Sequence, residues 1–253
     1  MRIYYHPTCA SSHRVIRELH ARGLLPRIEL VKVSHVATAG VMDEEIWSVP
    51  WIAEDGRPLA TDPLDPEEAA GIVEHRRARV PDDASKAFMS AVLGSLYASS
   101  LVYVHGSLRP VMSPRFVQAA LRSWLGGPDP ASSAESISRE EGALLSEYRG
   151  KIIRVLSYGM ARMLWWSSGG EAPGVPPDEL QVATWLLSTA SIGRAGLPDR
   201  PQSLRPAARE LAEAIRGDFD RLIRRVGDEQ SSIMGDEEYW RLLEQATRSP
   251  PAP

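Results

Sequence analysis

Hydrophobic and polar positions along the chain first alternate over short runs, then recur every three or four residues. Arg2-Ile3-Tyr4-Tyr5 is a β-prone run closed by His6-Pro7-Thr8. From Ser11 to Arg22 the period is helical, with Val15, Ile16 and Leu19 on one face and Gly23 placed to end it. Ile28, Leu30, Val31 and Val33 predict a second strand, while residues 36–47 fit a short helix or an irregular turn equally. Val49-Pro50-Trp51-Ile52-Ala53 predicts a third strand entered through a proline. Asp55-Gly56 is a two-residue hairpin signal before the return strand Pro58-Leu59-Ala60. Asp65-Pro66-Glu67-Glu68 opens a helix to about Arg79, with proline in the first turn and acids at the positive end of the dipole. The order is β-α-β-(α)-β-β-α.

Arg79-Val80-Pro81-Asp82-Asp83 reads as a charged linker, and everything after it is helical in period. One helix is predicted over 84–105, carrying Phe88, Met89, Val92, Leu96 and Val102, and another over 114–125, carrying Phe116, Val117, Ala120, Leu121 and Trp124. The Gly/Pro/Ser-rich stretch 126–137 reads as a loop. Ser138-Arg139-Glu140-Glu141 has the capping-box form and opens a long helix to about Trp166. After a loop over 167–177, helices are predicted near 178–193, 204–226 and 236–247. The predicted fold class is thus α/β plus all-α: a small α/β domain over 1–80, a helical bundle over 84–248 and a disordered tail over 249–253.

Composition narrows the class of protein. Of 253 residues, 43% are hydrophobic and 25% charged, which excludes a wholly disordered or fibrous chain. A net charge of −4 leaves no basic field to hold nucleic acid. No apolar run reaches about 18 residues, so no membrane span is expected. The opening run lacks the basic leader and long apolar stretch of a secretory signal. A cytoplasmic location follows as the expectation. Asn is absent and Arg outnumbers Lys by 26 to 3. Both traits occur in thermophile proteins, and a GC-rich genome accounts for the arginine bias equally well.

The chemistry centres on one residue. Cys9 is the only cysteine, so there is no internal disulfide and no multi-thiolate metal site. It stands between the first strand and the first helix, where unpaired backbone N–H groups and the helix dipole pull a thiol below its free value of about 8.5. His13 and Arg14, one turn on, are placed to add positive charge. The six histidines are otherwise scattered and form no convincing metal set. Trp165-Trp166, Trp124, Trp185 and Tyr158 predict an aromatic cluster among the helices, either core or the lining of an apolar pocket between domains.

A strand, then Cys9-Ala10-Ser11-Ser12 at a helix start, then Val49-Pro50 before a hairpin at Asp55-Gly56, resembles the thioredoxin-like superfamily. More narrowly it resembles the N-terminal domain of glutaredoxins and glutathione transferases, the latter of which continue into an all-helical domain. The resemblance implies a cis Val49-Pro50 bond and backbone pairing of Val49 with a bound thiol. It also implies Thr61 and Asp62 near the γ-glutamyl carboxylate of glutathione, although their hydroxyl-then-acid order reverses the family's pair.

Ser12 stands where dithiol members carry a second cysteine, so the pattern is Cys-x-x-Ser. Cys9 alone supports a mixed disulfide with a small thiol, resolved by an outside thiol. The implied function is a thiol-dependent transferase or monothiol oxidoreductase with Cys9 as the thiolate and Ser12 and His13 assisting it. Its partner is glutathione, another small thiol or a thiol-bearing protein, with no bound cofactor. Homodimers are common where this architecture occurs. A non-catalytic thioredoxin-like binding module is the alternative, and a weaker likeness runs to arsenate reductases.

Overall fold

A computed structural model of the chain describes residues 1–33, 45–188 and 204–248. Most of the ambiguous stretch 36–47, the end of the helix expected over 178–193 and the tail 249–253 lie outside the described residues.

Four strands form one mixed sheet in the order β2-β1-β3-β4: β1 (Arg2–Tyr5), β2 (Glu29–Lys32), β3 (Trp51–Glu54) and β4 (Arg57–Thr61). β1 runs parallel to β2 and antiparallel to β3, and β3 is antiparallel to β4. The hairpin between β3 and β4 turns on Asp55 (φ 48°) and Gly56 (φ 75°), the pair of positive φ values that an Asp-Gly loop accommodates. Pro58 lacks an N–H to give, and the ladder slips between Ile52 and Ala53 opposite it; β4 is an edge strand, where such a residue is tolerated.

Alternation along the strands decides what each face buries. Ile3, Ile52 and Ala60 pack with Val15 and Leu19 of helix α1 (Ala10–Ala21) and Ala69, Ala70 and Ile72 of α2 (Pro66–His75). Tyr4, Trp51 and Ala53 face the other way and join the core of the helical region, with Phe88, Met89 and Phe116. The helix expected to reach Arg79 ends at His75, because Arg76 adopts the left-handed conformation (φ 52°).

The helix expected over 84–105 is two, α3 (Ala84–Gly94) and α4 (Leu96–His105), bent by 105°. Ser95 caps the second by accepting from the Ala98 N–H at 3.0 Å, and its hydroxyl donates to the Trp47 carbonyl. α5 (Pro114–Leu121) stops at Arg122, another left-handed residue, and a 3₁₀ turn follows over Ser123–Leu125. α6 (Pro130–Ser167) runs for 38 residues and starts well before the expected Ser138, with Asp129 as its N-cap and Pro130 in its first turn. At 1.5 Å per residue it is about 57 Å long.

α7 (Glu179–Ser188) packs on α8 (Leu204–Met234), and α8, kinked at Asp218, packs beside α6. α9 (Glu237–Arg248) returns to the sheet domain, where Tyr239 and Leu243 pack with Tyr5 and Ile16. Among the described residues no single helix is long and apolar enough to cross a membrane.

Candidate functional site

Antiparallel pairing of β1 with β3 aligns Tyr4 with Trp51, so the residues just after β1 meet those just before β3 at one end of the sheet. That is how Cys9 and Val49, forty residues apart, come together. Cys9 is the N-cap of α1 in extended backbone (φ −85°, ψ 122°), and its side chain makes no capping bond. Its thiol instead donates to the Val49 carbonyl oxygen at 3.5 Å. The Val49–Pro50 bond is cis, the form the resemblance implies.

Ser12 is fully buried on the inner side of α1, and its Oγ accepts from the His6 N–H at 3.4 Å. The thiol itself departs from the sequence expectation. Burial pushes it above its ordinary value, the Ser12 backbone N–H and hydroxyl and the Arg162 charge oppose the rise, and the Asp62 charge adds to it. The helix terminus is present, and the cysteine at its N-cap is partly buried. Two residues from the far end of the chain tie down the loop that carries the cysteine: Gln230 Nε2 donates to the Thr8 carbonyl at 3.2 Å and Tyr239 Oη to the Pro7 carbonyl at 3.1 Å.

His13 is drawn into that same contact. Its Nε2 lies 2.8 Å from Asp236 Oδ2, and its ring meets Tyr239 edge-on at 4.6 Å. Arg17 reaches Asp236 at 3.4 Å and Glu238 at 2.5 Å, and His20 reaches Glu238 at 3.3 Å. The basic groups expected to face the sulfur from α1 thus include one, His13, whose ring is engaged with the acid at the start of α9.

Thr61 and Asp62, adjacent in sequence, have different surroundings. Thr61 is fully buried, and its hydroxyl shares a 2.6 Å hydrogen bond with that of Ser48. Asp62 is 8% exposed and precedes a second cis proline bond, Asp62–Pro63. Burial raises its carboxyl from 3.8 to about 6, against the opposing hydrogen bond from Ser11 and the charges of Arg14 and Arg122. Its Oδ1 is buried without a hydrogen-bond partner.

Asp62 and Ser11 form one wall of a cavity of about 720 Å³ between the sheet domain and the helices. The opposite walls come from Leu93 and Gly94 of α3, from Arg154, Ser157 and Tyr158 of α6, and from Asp218, Arg221 and Arg225 of α8. Of the aromatic cluster expected from sequence, only Tyr158 lines this space. Trp165 and Trp185 belong to the core, while Trp124 is 48% exposed with Arg57 4.7 Å from its ring centroid.

Sequence reasoning missed the cavity arginines. A signal exists in their spacing, since Arg154 and Tyr158, and likewise Arg221 and Arg225, are four apart and so share a helix face. Only packing brings the two faces together. Among the described residues no group of three or more His, Cys, Asp or Glu side chains is arranged to hold a metal ion.

Compared with protein-family models, with curated proteins and with solved structures, the chain matches none.

Proposed function

We propose that the chain is a thioredoxin-like protein of glutathione-transferase arrangement that carries out thiol–disulfide exchange or thiol transfer on a small thiol at Cys9. The observation that carries this reading is the 3.5 Å approach of Cys9 Sγ to the Val49 carbonyl, beside the cis Val49–Pro50 bond and at the start of α1. In exchange, the Cys9 sulfur gives its proton to solvent and attacks one sulfur of a small-molecule disulfide. A Cys9 mixed disulfide forms, the original S–S bond breaks, and the other half leaves as a thiolate that takes up a proton. A second small thiol attacks the bound ligand's sulfur, releases a new disulfide and restores Cys9. Ser12 and Arg162 favour the thiolate during the first step, and the Val49 backbone orients the incoming thiol.

Incubation of the native protein with glutathione disulfide, read by intact mass, tests the reading. One added glutathionyl group on Cys9, removed by excess thiol and absent from Cys9→Ser, is the expected result. A native protein that stays unmodified, while the same protein in denaturant is modified, sinks it.

The second reading is a non-catalytic binding module of the same architecture. It is favoured by one observation, the burial that raises the Cys9 thiol and holds it protonated at neutral pH. Under it the cavity still binds ligand, and Cys9 serves only to close the turn on Val49.

A further inference from the structure

Three arginines from two helices surround the cavity, and their charges are unequally used. Arg221 is paired with Asp218, three residues before it on α8. Arg225 lies over the Tyr158 ring, 5.3 Å from its centroid, and neither it nor Arg154 has an acidic partner within bonding distance among the described residues. All three side chains belong to exposed residues, so they keep their charges at the water-facing side of the space. Behind them the walls are partly apolar, from Leu93, Val155, Leu222 and the Tyr158 ring. At about 720 Å³ the cavity falls within the range of small-molecule sites, which combine an apolar body with a few placed polar groups.

We infer that this cavity binds an organic dianion, a phosphate monoester or a dicarboxylate, with its charged head between Arg154 and Arg225 and its apolar body against Tyr158 and Leu222. Guanidinium groups suit such a head because their fixed forks match carboxylate and phosphate oxygens. Tyr158 holds Arg225 in place from below, since the ring face attracts the cation. On this side Asp218 is paired with Arg221, and Glu229, also on α8, faces the Tyr158 hydroxyl. Asp62 stands on the other wall, with its carboxyl hydrogen-bonded to Ser11. The inference rests on the reading of the cavity as the ligand pocket, and it is independent of exchange at Cys9.

Calorimetric titration of the Cys9→Ser protein separates the two, because no exchange is possible in that variant. The probes are phenyl phosphate, inorganic phosphate and benzyl alcohol. Phenyl phosphate is expected to bind saturably, inorganic phosphate more weakly and benzyl alcohol not measurably. Arg154→Gln and Arg225→Gln should each weaken phenyl phosphate about tenfold, the loss of one charged hydrogen bond. Arg224→Gln, on the same helix but outside the cavity, should leave it unchanged. All three arginines are exposed, so a matching unfolding temperature is expected and confirms that the fold is intact. No saturable phenyl phosphate binding, or equal affinity in the Arg154 and Arg225 variants, would overturn the inference.

Discussion

Gly94 and Asp62 approach so closely that a single added carbon has no room: a Cβ on Gly94 would lie 2.6 Å from Asp62 Oδ2 and 2.7 Å from its backbone oxygen. The contact joins the last residue of α3 to the turn after β4, and so fixes one wall of the cavity to the sheet domain. Because backbone atoms are involved, a side-chain rotation cannot relieve the clash. Gly94→Ala is therefore expected to destabilise the protein by about 1–3 kcal/mol, the usual cost of overpacking. The roughly 1 kcal/mol that alanine gains over glycine belongs to helix interiors, and Gly94 is the last residue of α3. Chemical denaturation of the two proteins checks it, and an unchanged midpoint would deny the close approach.

Asp62 makes stability depend on pH with a definite sign. Its carboxyl titrates near 6 in the folded protein against 3.8 ordinarily, so the folded state holds the proton more tightly. The stabilisation is complete below about pH 3.8 and is lost as pH rises through 6. Above that pH the buried charge costs on the order of 2–3 kcal/mol. Asp62→Asn should be more stable than wild type at pH 8 and should flatten the slope between pH 4 and 6. Urea denaturation across that range decides the matter, and a variant less stable at pH 8 would contradict the assignment.

Tyr239 links the end of the chain to the cysteine loop through the Pro7 carbonyl. Tyr239→Phe removes that bond and should cost about 1–2 kcal/mol, the price of leaving a buried acceptor unmet. It should also speed alkylation of Cys9 by loosening the loop. In wild type the alkylation rate is expected to keep rising with pH beyond about 8.5, the free-thiol value, without levelling off, since burial raises the thiol. A rate that saturates below pH 8 would show instead that the helix terminus dominates.

Glu68 and Arg122 form an ion pair at 3.2 Å with side chains only 11% and 9% exposed. Arg122 also donates to the Ala120 and Pro63 carbonyls, each at 2.9 Å, so it ties α5 to the turn at the cis Asp62–Pro63 bond. Glu68→Ala strands a buried guanidinium and should cost about 3 kcal/mol. Thermal unfolding measures this; a loss below about 0.5 kcal/mol would match a solvated surface pair instead.

Local signals in the sequence were enough for the sheet domain. Asp55-Gly56 specified its turn because few residue pairs accept two positive φ values, and Val15, Ile16 and Leu19 specified the buried face of α1 by spacing alone. The place of Cys9 at a helix start was legible for the same reason. The break at Ser95 was not, because Val92 and Leu96 keep a helical spacing straight across it. The bend is set by a hydroxyl that reaches Trp47 from 48 residues away. The early start of α6 was hidden by a Gly/Pro/Ser-rich composition, although Asp129 and Pro130 carried the cap.

The electrostatic setting of Cys9 depended on tertiary structure altogether. Position in the sequence supplies the helix dipole, which lowers a thiol; Tyr239 and Gln230, more than 220 residues away, help close the site and accompany the burial that raises it. The same holds for the cavity. Periodicity puts Arg154 on one helix face and Arg225 on another, and only the packing of α6 against α8 turns two solvated stripes into the walls of one pocket.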